Sequence, residues 1–194
     1  METIAVNRGT GAGGANTNAN GLSFEKKTNN EPRLLLVGFV RKNIPDSKAK
    51  NGYYLEKEIS PIETIVYLTK SGLKIYFAYL FGIQMCREPD EAYLFRNGNN
   101  YVLKILEKKN QNTSGSVDTK LLAGPGFIEE YQFLLGENFA VKYAFCISDF
   151  LKKDYISESV KCKALCHINQ KYDIAVLYGD DANYFETLDD WVMS

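Results

Sequence analysis

The sequence predicts an α/β fold: one domain with a central mixed β-sheet of four or five strands flanked by helices. Three observations predict it. Strand-like and helix-like segments alternate through the second half of the chain. Two strand-like runs are joined by Asn97-Gly98-Asn99-Asn100, a hairpin turn sequence. Hydrophobic residues make up 45% of 194 residues, enough to build a core for one domain.

Residues 1–21 are rich in Gly, Asn, Thr and Ala and predict no regular structure in isolation. Gly9, Gly11 and Gly14 have the spacing of a dinucleotide-binding loop, but no convincing strand–turn–helix unit surrounds them, and no Gly-Lys-Ser/Thr comes after them. The segment is either a flexible tail or one that orders by offering backbone N–H groups to phosphate. The folded domain is placed at residues 22–194. Leu22 and Phe24 predict a short helix, Pro32 a break, and Leu34-Leu35-Leu36-Val37 a strand. Residues 43–60 read as a loop because of Asn43, Pro45-Asp46-Ser47 and Asn51-Gly52.

Ile62 to Leu68 is apolar and β-branched. Leu73 to Met85 is apolar all round, either a buried helix or a strand pair. Pro89 to Leu94 opens one strand and Tyr101 to Lys109 forms the next. Residues 117–135 read as a helix interrupted at Gly124-Pro125-Gly126. Ala140 to Ile147 is a core strand, Asp149 to Ser159 a helix and Ile174 to Tyr178 a buried strand turned by Gly179-Asp180-Asp181. Tyr184 to Met193 closes the chain as a helix docked by Phe185, Leu188 and Trp191.

Composition narrows the chemistry. A single histidine, His167, with no nucleophile motif beside it argues against Ser-His-Asp and Cys-His enzymes. Cys162, Cys166 and His167 lack the spacing of zinc knuckles and have no second histidine to join them. All four cysteines read as reduced thiols, with Cys86 and Cys146 in apolar, buried surroundings. No apolar run approaches the roughly 20 residues that span a bilayer. The N-terminus lacks the pattern of a secretory signal. A cytoplasmic protein is therefore expected, or one inside a host cell if viral, with no membrane partner. Net charge is −1, yet Lys104, Lys108, Lys109 and Lys120 lie close in sequence and suggest a local basic face.

The strand Tyr101 to Lys109 carries the most specific signal. Alternate side chains share a face, so Tyr101, Leu103, Ile105, Glu107, Lys109 and Gln111 point one way. Three apolar residues lead into Glu, Lys and Gln, as where a buried face opens at a site. Asp90, at the start of the preceding strand, is brought towards Glu107 by the hairpin. Two carboxylates offer the hard oxygen donors that Mg²⁺ prefers, and a lysine about 6–7 Å along the same strand face can orient an attacking water. A second acidic set, Asp180-Asp181 with Asp189-Asp190, has no lysine placed in the same way and ranks below the first.

This pattern resembles the PD-(D/E)XK nuclease superfamily and, within it, type II restriction endonucleases. Pro89-Asp90 matches the PD half, Glu107-Lys108-Lys109 the ExK half, and Gln111 an extended ExKxQ form. Ser23-Phe24-Glu25 is similar to the early helix whose Glu supports the metal in many of these enzymes. The resemblance implies a restriction-endonuclease-like domain that hydrolyses both strands of double-stranded DNA with Mg²⁺. It implies Asp90, Glu107 and Glu25 as metal ligands, Lys109 as the water-orienting group and Gln111 in support. A homodimer suits a palindromic site, and a DNA methyltransferase acting on the same site is an implied partner. Asn16, Asn18, Lys108, Asn112, Ser114, Ser116 and Lys120 are the candidate DNA contacts. Two alternatives stand beside this reading: a repair, recombination or genome-degrading nuclease of the same fold, and a non-catalytic DNA-binding module.

Overall fold

The computed structural model describes residues 22–111 and 120–194. The fold is α/β, as expected, but its mixed sheet has seven strands, in the order β1 (Val40–Asn43), β2 (Tyr53–Ser60), β3 (Glu63–Leu68), β4 (Glu91–Asn97), β5 (Asn100–Lys109), β6 (Phe139–Ile147) and β7 (Ile174–Tyr178). Neighbours from β1 to β5 pair antiparallel; β5, β6 and β7 run parallel. The helices are α1 (residues 22–27), α2 (Glu31–Leu36), α3 (Ser71–Phe81), α4 (Gly124–Leu135), α5 (Asp149–Tyr155), α6 (Val160–Lys171) and α7 (Tyr184–Met193). Among the described residues no helix is long and apolar enough to cross a membrane.

Two cores sandwich the sheet, as its parallel strands β5 to β7, covered on both faces, require. On one face Leu94, Leu103, Ile105 and Phe145 pack with Leu73 and Phe77 of α3, Tyr131 of α4, Leu151 and Leu165. On the other, Tyr93, Leu106, Ala144 and Cys146 pack with Phe24 of α1, Leu34 of α2, and Tyr184, Leu188 and Val192 of α7. The predicted hairpin joins β4 to β5: Asn97 pairs with Asn100, and Gly98 supplies the positive φ (+59°) the tight turn needs. At Gly179 a Cβ would lie 2.5 Å from the Phe24 ring and 2.7 Å from Cys146 Sγ, so glycine there lets α1 settle against the ends of β6 and β7.

Several elements differ from the sequence expectation. Leu34 to Leu36 belongs to α2, not a strand, because Pro32 sits in the first turn of that helix, where its missing N–H costs nothing. Tyr53 to Ser60 is strand β2 rather than loop; its polar outward residues hide a buried Leu55. Leu73 to Phe81 is helical, which settles the open choice for that stretch. The helix expected over residues 117–135 is broken by a turn at 122–123, and Gly124-Pro125 then opens α4. Helix α6, in the stretch around Cys162 and Cys166, has no counterpart in the sequence expectation; Ser159 caps it by accepting the Cys162 N–H. All four thiols are free, but Cys86 is exposed, not buried.

Candidate active site

The ends of β3, β5, β6 and β7 and the starts of β2 and β4 lie together at one end of the sheet. Asp90 is there. The β4–β5 register pairs Glu91 with Leu106, so Asp90, one residue earlier, faces Glu107. Facing side chains sit about 4.5–5.5 Å apart at Cβ. Glu107 lies on the face of Leu103 and Ile105, as strand alternation predicts, while Asp90, just before β4, borders the cleft on the α1 side. The Lys108 backbone N–H donates to Asp90 Oδ2 at 2.7 Å, fixing the carboxylate against β5. Lys109 comes next on the same face, and its Nζ donates to Glu107 Oε1 at 2.5 Å. Sequence reasoning brings these three residues together, and the structure places them together.

Glu107 opens into a cavity of about 210 Å³ beside Arg87, Phe127, Tyr131 and Tyr143. Asp90 borders a larger polar cleft of about 430 Å³ shared with α1, the β1–β2 loop and the residues after β3. Glu25 lines that cleft too, but its carboxylate is held by Lys70 Nζ at 2.8 Å. Among the described residues no group of three His, Cys, Asp or Glu side chains is arranged to hold a metal ion. The donor set therefore consists of Asp90 and Glu107, with Glu25 engaged elsewhere. Two hard carboxylates fit Mg²⁺, which keeps much of its water shell.

Sequence reasoning misses Lys70. It lies just after β3, donates its N–H to Pro89 O at 2.9 Å, and takes φ +46°, ψ −125°. A side chain in that conformation is strained by roughly 1–3 kcal/mol, a cost concentrated at functional sites. No sequence signal marks it beyond its place after an apolar run. Arg87, which stacks over Phe127 at 4.5 Å and bonds Glu130, is likewise unmarked.

Lys108, expected as a DNA contact, is buried. Strand alternation turns it to the opposite face from Lys109, where its side chain is 4% exposed and Nζ donates to Glu91 at 2.6 Å and to Thr28 O at 2.9 Å. Glu91 also accepts the Asn30 N–H and the Tyr93 hydroxyl. Lys104 is buried on that same side and donates to the carbonyls of Trp191 and Ser194. The expected basic face therefore does not form: two of its four lysines point inward. Lys120 is exposed. Asn16, Asn18, Asn112, Ser114 and Ser116 lie outside the described residues.

Gln111 continues past the end of β5 with its backbone tied to the Ser148 hydroxyl. It lines a separate cavity with Leu121, Leu151, Tyr155 and Leu165, away from the one that Glu107 enters. Three of the four competing carboxylates are engaged in structure: Asp180 pairs with Lys27, Asp181 with Lys152 and Asp189 with Arg33, while Asp190 is exposed.

Burial and the facing Glu107 carboxylate push the Asp90 carboxyl up to about 6, against the opposing pull of the Lys108 N–H. Its folded-state value thus exceeds the unfolded one, near 3.9. The folded chain binds this proton more tightly, so ionising Asp90 destabilises the fold as pH rises from about 4 to about 6. Asp90→Asn keeps an acceptor for the Lys108 N–H and removes the charge. Without metal, the variant should be more stable than the native chain by roughly 2 kcal/mol at pH 7.5, with the gap closing towards pH 4. Urea unfolding at the two pH values reads the difference, and a native chain as stable as the variant at pH 7.5 would refute the electrostatic strain.

No known protein family, curated protein or solved structure gives a significant match to this chain.

Proposed function

We propose that this protein is a Mg²⁺-dependent endonuclease of restriction type that hydrolyses double-stranded DNA. The observation that carries the reading is the facing of Asp90 and Glu107 at the ends of β4 and β5, with Lys109 on the same face and bonded to Glu107. The element order supports it: Glu25 on α1, then Pro89-Asp90 before β4, Glu107 to Lys109 on β5, then helix α4 and the core strand β6. That is the order the PD-(D/E)XK resemblance implies.

Asp90 and Glu107 are the residues that would hold the ion, which supplies charge neutralisation at the phosphate and a more acidic bound water. The chain does the rest. The Lys108 N–H fixes the direction of Asp90. The apolar Leu103–Ile105 face beneath Glu107 keeps water from that side of the carboxylate. Lys109 brings a positive charge to the point where negative charge develops on the scissile phosphate and orients the attacking water. Glu25 lies across the cleft and supports the site only when it exchanges its bond with Lys70. A two-fold dimer would place one such site on each strand.

The test is incubation of long, defined duplex DNA with Mg²⁺, with EDTA, and with the Glu107→Ala variant. Discrete fragments that require both Mg²⁺ and Glu107 are expected, and a smear would move the reading to a nuclease of low sequence preference. Duplex bound in Mg²⁺ but left intact by the folded native chain would reject the catalytic assignment.

A further inference from the structure

The cleft beside Asp90 contains more charge than the proposed chemistry uses. Its carboxylates are mostly engaged: Glu25 with Lys70, Glu91 with Lys108, and Glu31 with the Tyr53 hydroxyl and, at 3.9 Å, with Arg41. Two lysines on its lining are not. Lys26 on α1 and Lys50 in the β1–β2 loop are exposed, and among the described residues neither has an ion-pair or hydrogen-bond partner. They come from two separate segments of the cleft wall. Asn29 adds a donor: its Oδ1 accepts from the Glu31 N–H and the Tyr67 hydroxyl, which leaves its amide nitrogen without a partner among the described residues.

The aromatic residues of the cleft offer no free face for a base. Arg41 covers the Tyr53 ring at 3.6 Å, and Tyr67 is buried against Tyr93. A ligand here is therefore met by ammonium and amide donors rather than by stacking. Once the paired charges cancel, two free cations and Asp90 are left. That set suits a phosphodiester strand whose non-bridging oxygens take the lysines while Asp90 lies at the strand's reacting end.

We infer that the cleft between α1 and the β1–β2 loop is the track for the cleaved DNA strand, with Lys26 and Lys50 holding phosphates adjacent to the scissile one. The inference rests on the nuclease reading and adds to it a location and two contacts that no motif marks. Contacts of this kind position the strand without reading its sequence.

The test is fluorescence anisotropy of a short duplex DNA oligonucleotide titrated with the full chain in EDTA, across a series of salt concentrations. Each of Lys26→Gln and Lys50→Gln should flatten the plot of log affinity against log salt by about 1, and the double variant by about 2. Lys171→Gln serves as the control, because Lys171 precedes β7 at the opposite end of the sheet. It should leave the slope unchanged. Both cleft lysines are exposed, so the fold does not depend on them. An unchanged slope in the cleft variants, with the native chain still cutting DNA, overturns the inference and leaves the nuclease reading intact. An equal effect from Lys171→Gln also overturns it, since the loss would then track net charge alone. A native chain that neither binds nor cuts duplex DNA overturns both.

Discussion

Lys108→Met should destabilise the protein by about 3–5 kcal/mol, the cost of stranding one member of a buried ion pair. The partner is Glu91, 2% exposed, whose carboxylate would lose its one cation while still facing the Asn30 N–H and the Tyr93 hydroxyl. Adding Glu91→Gln should recover much of the loss. The substituted amide would still accept the Asn30 N–H through its oxygen and could turn its nitrogen to the Tyr93 hydroxyl oxygen, and no buried charge would be left. What stays unpaired is the Thr28 carbonyl, which Lys108 now satisfies, so a residual cost of roughly 1–3 kcal/mol is expected for that group. Urea unfolding of the native chain and the two variants measures each step. The pair also ties the turn after α1 to the ends of β4 and β5, so its loss should loosen the segment that carries Glu25. A cost below about 1 kcal/mol for Lys108→Met, the range of exposed charges, would mean that Lys108 lies at the surface after all.

That experiment also bears on what sequence can reveal. The alternation along β5 is legible because three consecutive same-face apolar residues run into Glu107 and Lys109, and period two is a strong local signal. The same rule assigns Lys104, Leu106 and Lys108 to the reverse face. What the sequence does not announce is that this reverse face is also buried, since that depends on α1, α2 and α7 folding over it from far along the chain. A lysine on a strand with one wet face contacts solvent; on a strand covered from both sides it needs a partner, and Glu91 is that partner.

The missed strand β2 has a related cause. Of Tyr53 to Ser60 only Leu55 is buried, so the strand shows little apolar patterning, and the turn residues before it extend the apparent loop. Pro32 reads as a break because proline both ends and begins helices, and only the residues after it decide between the two. Lys70 shows the limit from the other direction. Its importance lies in a backbone conformation and in a contact with Glu25 across 45 residues, neither of which has a local sequence signature. The Asp90–Glu107 pairing is the easier inference because a short hairpin fixes its own register.

Lys109→Gln should slow DNA cleavage by roughly 10²–10⁴-fold, the range seen when a preorganised electrostatic or proton-handling group is removed, while the fold is kept. Its only described ion pair, with Glu107, is partly exposed, 19% and 25% for the two side chains, and a pair of that kind is worth at most about 1 kcal/mol. Raising Mg²⁺ should not restore the rate, because the lost group acts on the phosphate and the water and does not hold the ion. Lys109→Arg should fail almost as badly: a guanidinium beside Glu107 can bind the carboxylate bidentately and compete for the oxygens the ion requires. Glu25→Gln makes the informative contrast. Glu25 is already bonded to Lys70 and stands outside the Asp90–Glu107 pair, so its loss should cost less than about tenfold, with added Mg²⁺ recovering part of it. Cleavage rates at saturating DNA, measured across a Mg²⁺ titration for the three variants, separate these roles. Cleavage by Lys109→Gln within about threefold of the native rate would remove Lys109 from the site, since a group that stabilises the transition state cannot be lost so cheaply. A Glu25→Gln defect as deep as that of Lys109→Gln would show instead that Glu25 leaves Lys70 for the metal when DNA and Mg²⁺ are bound, making the early helix a full member of the site.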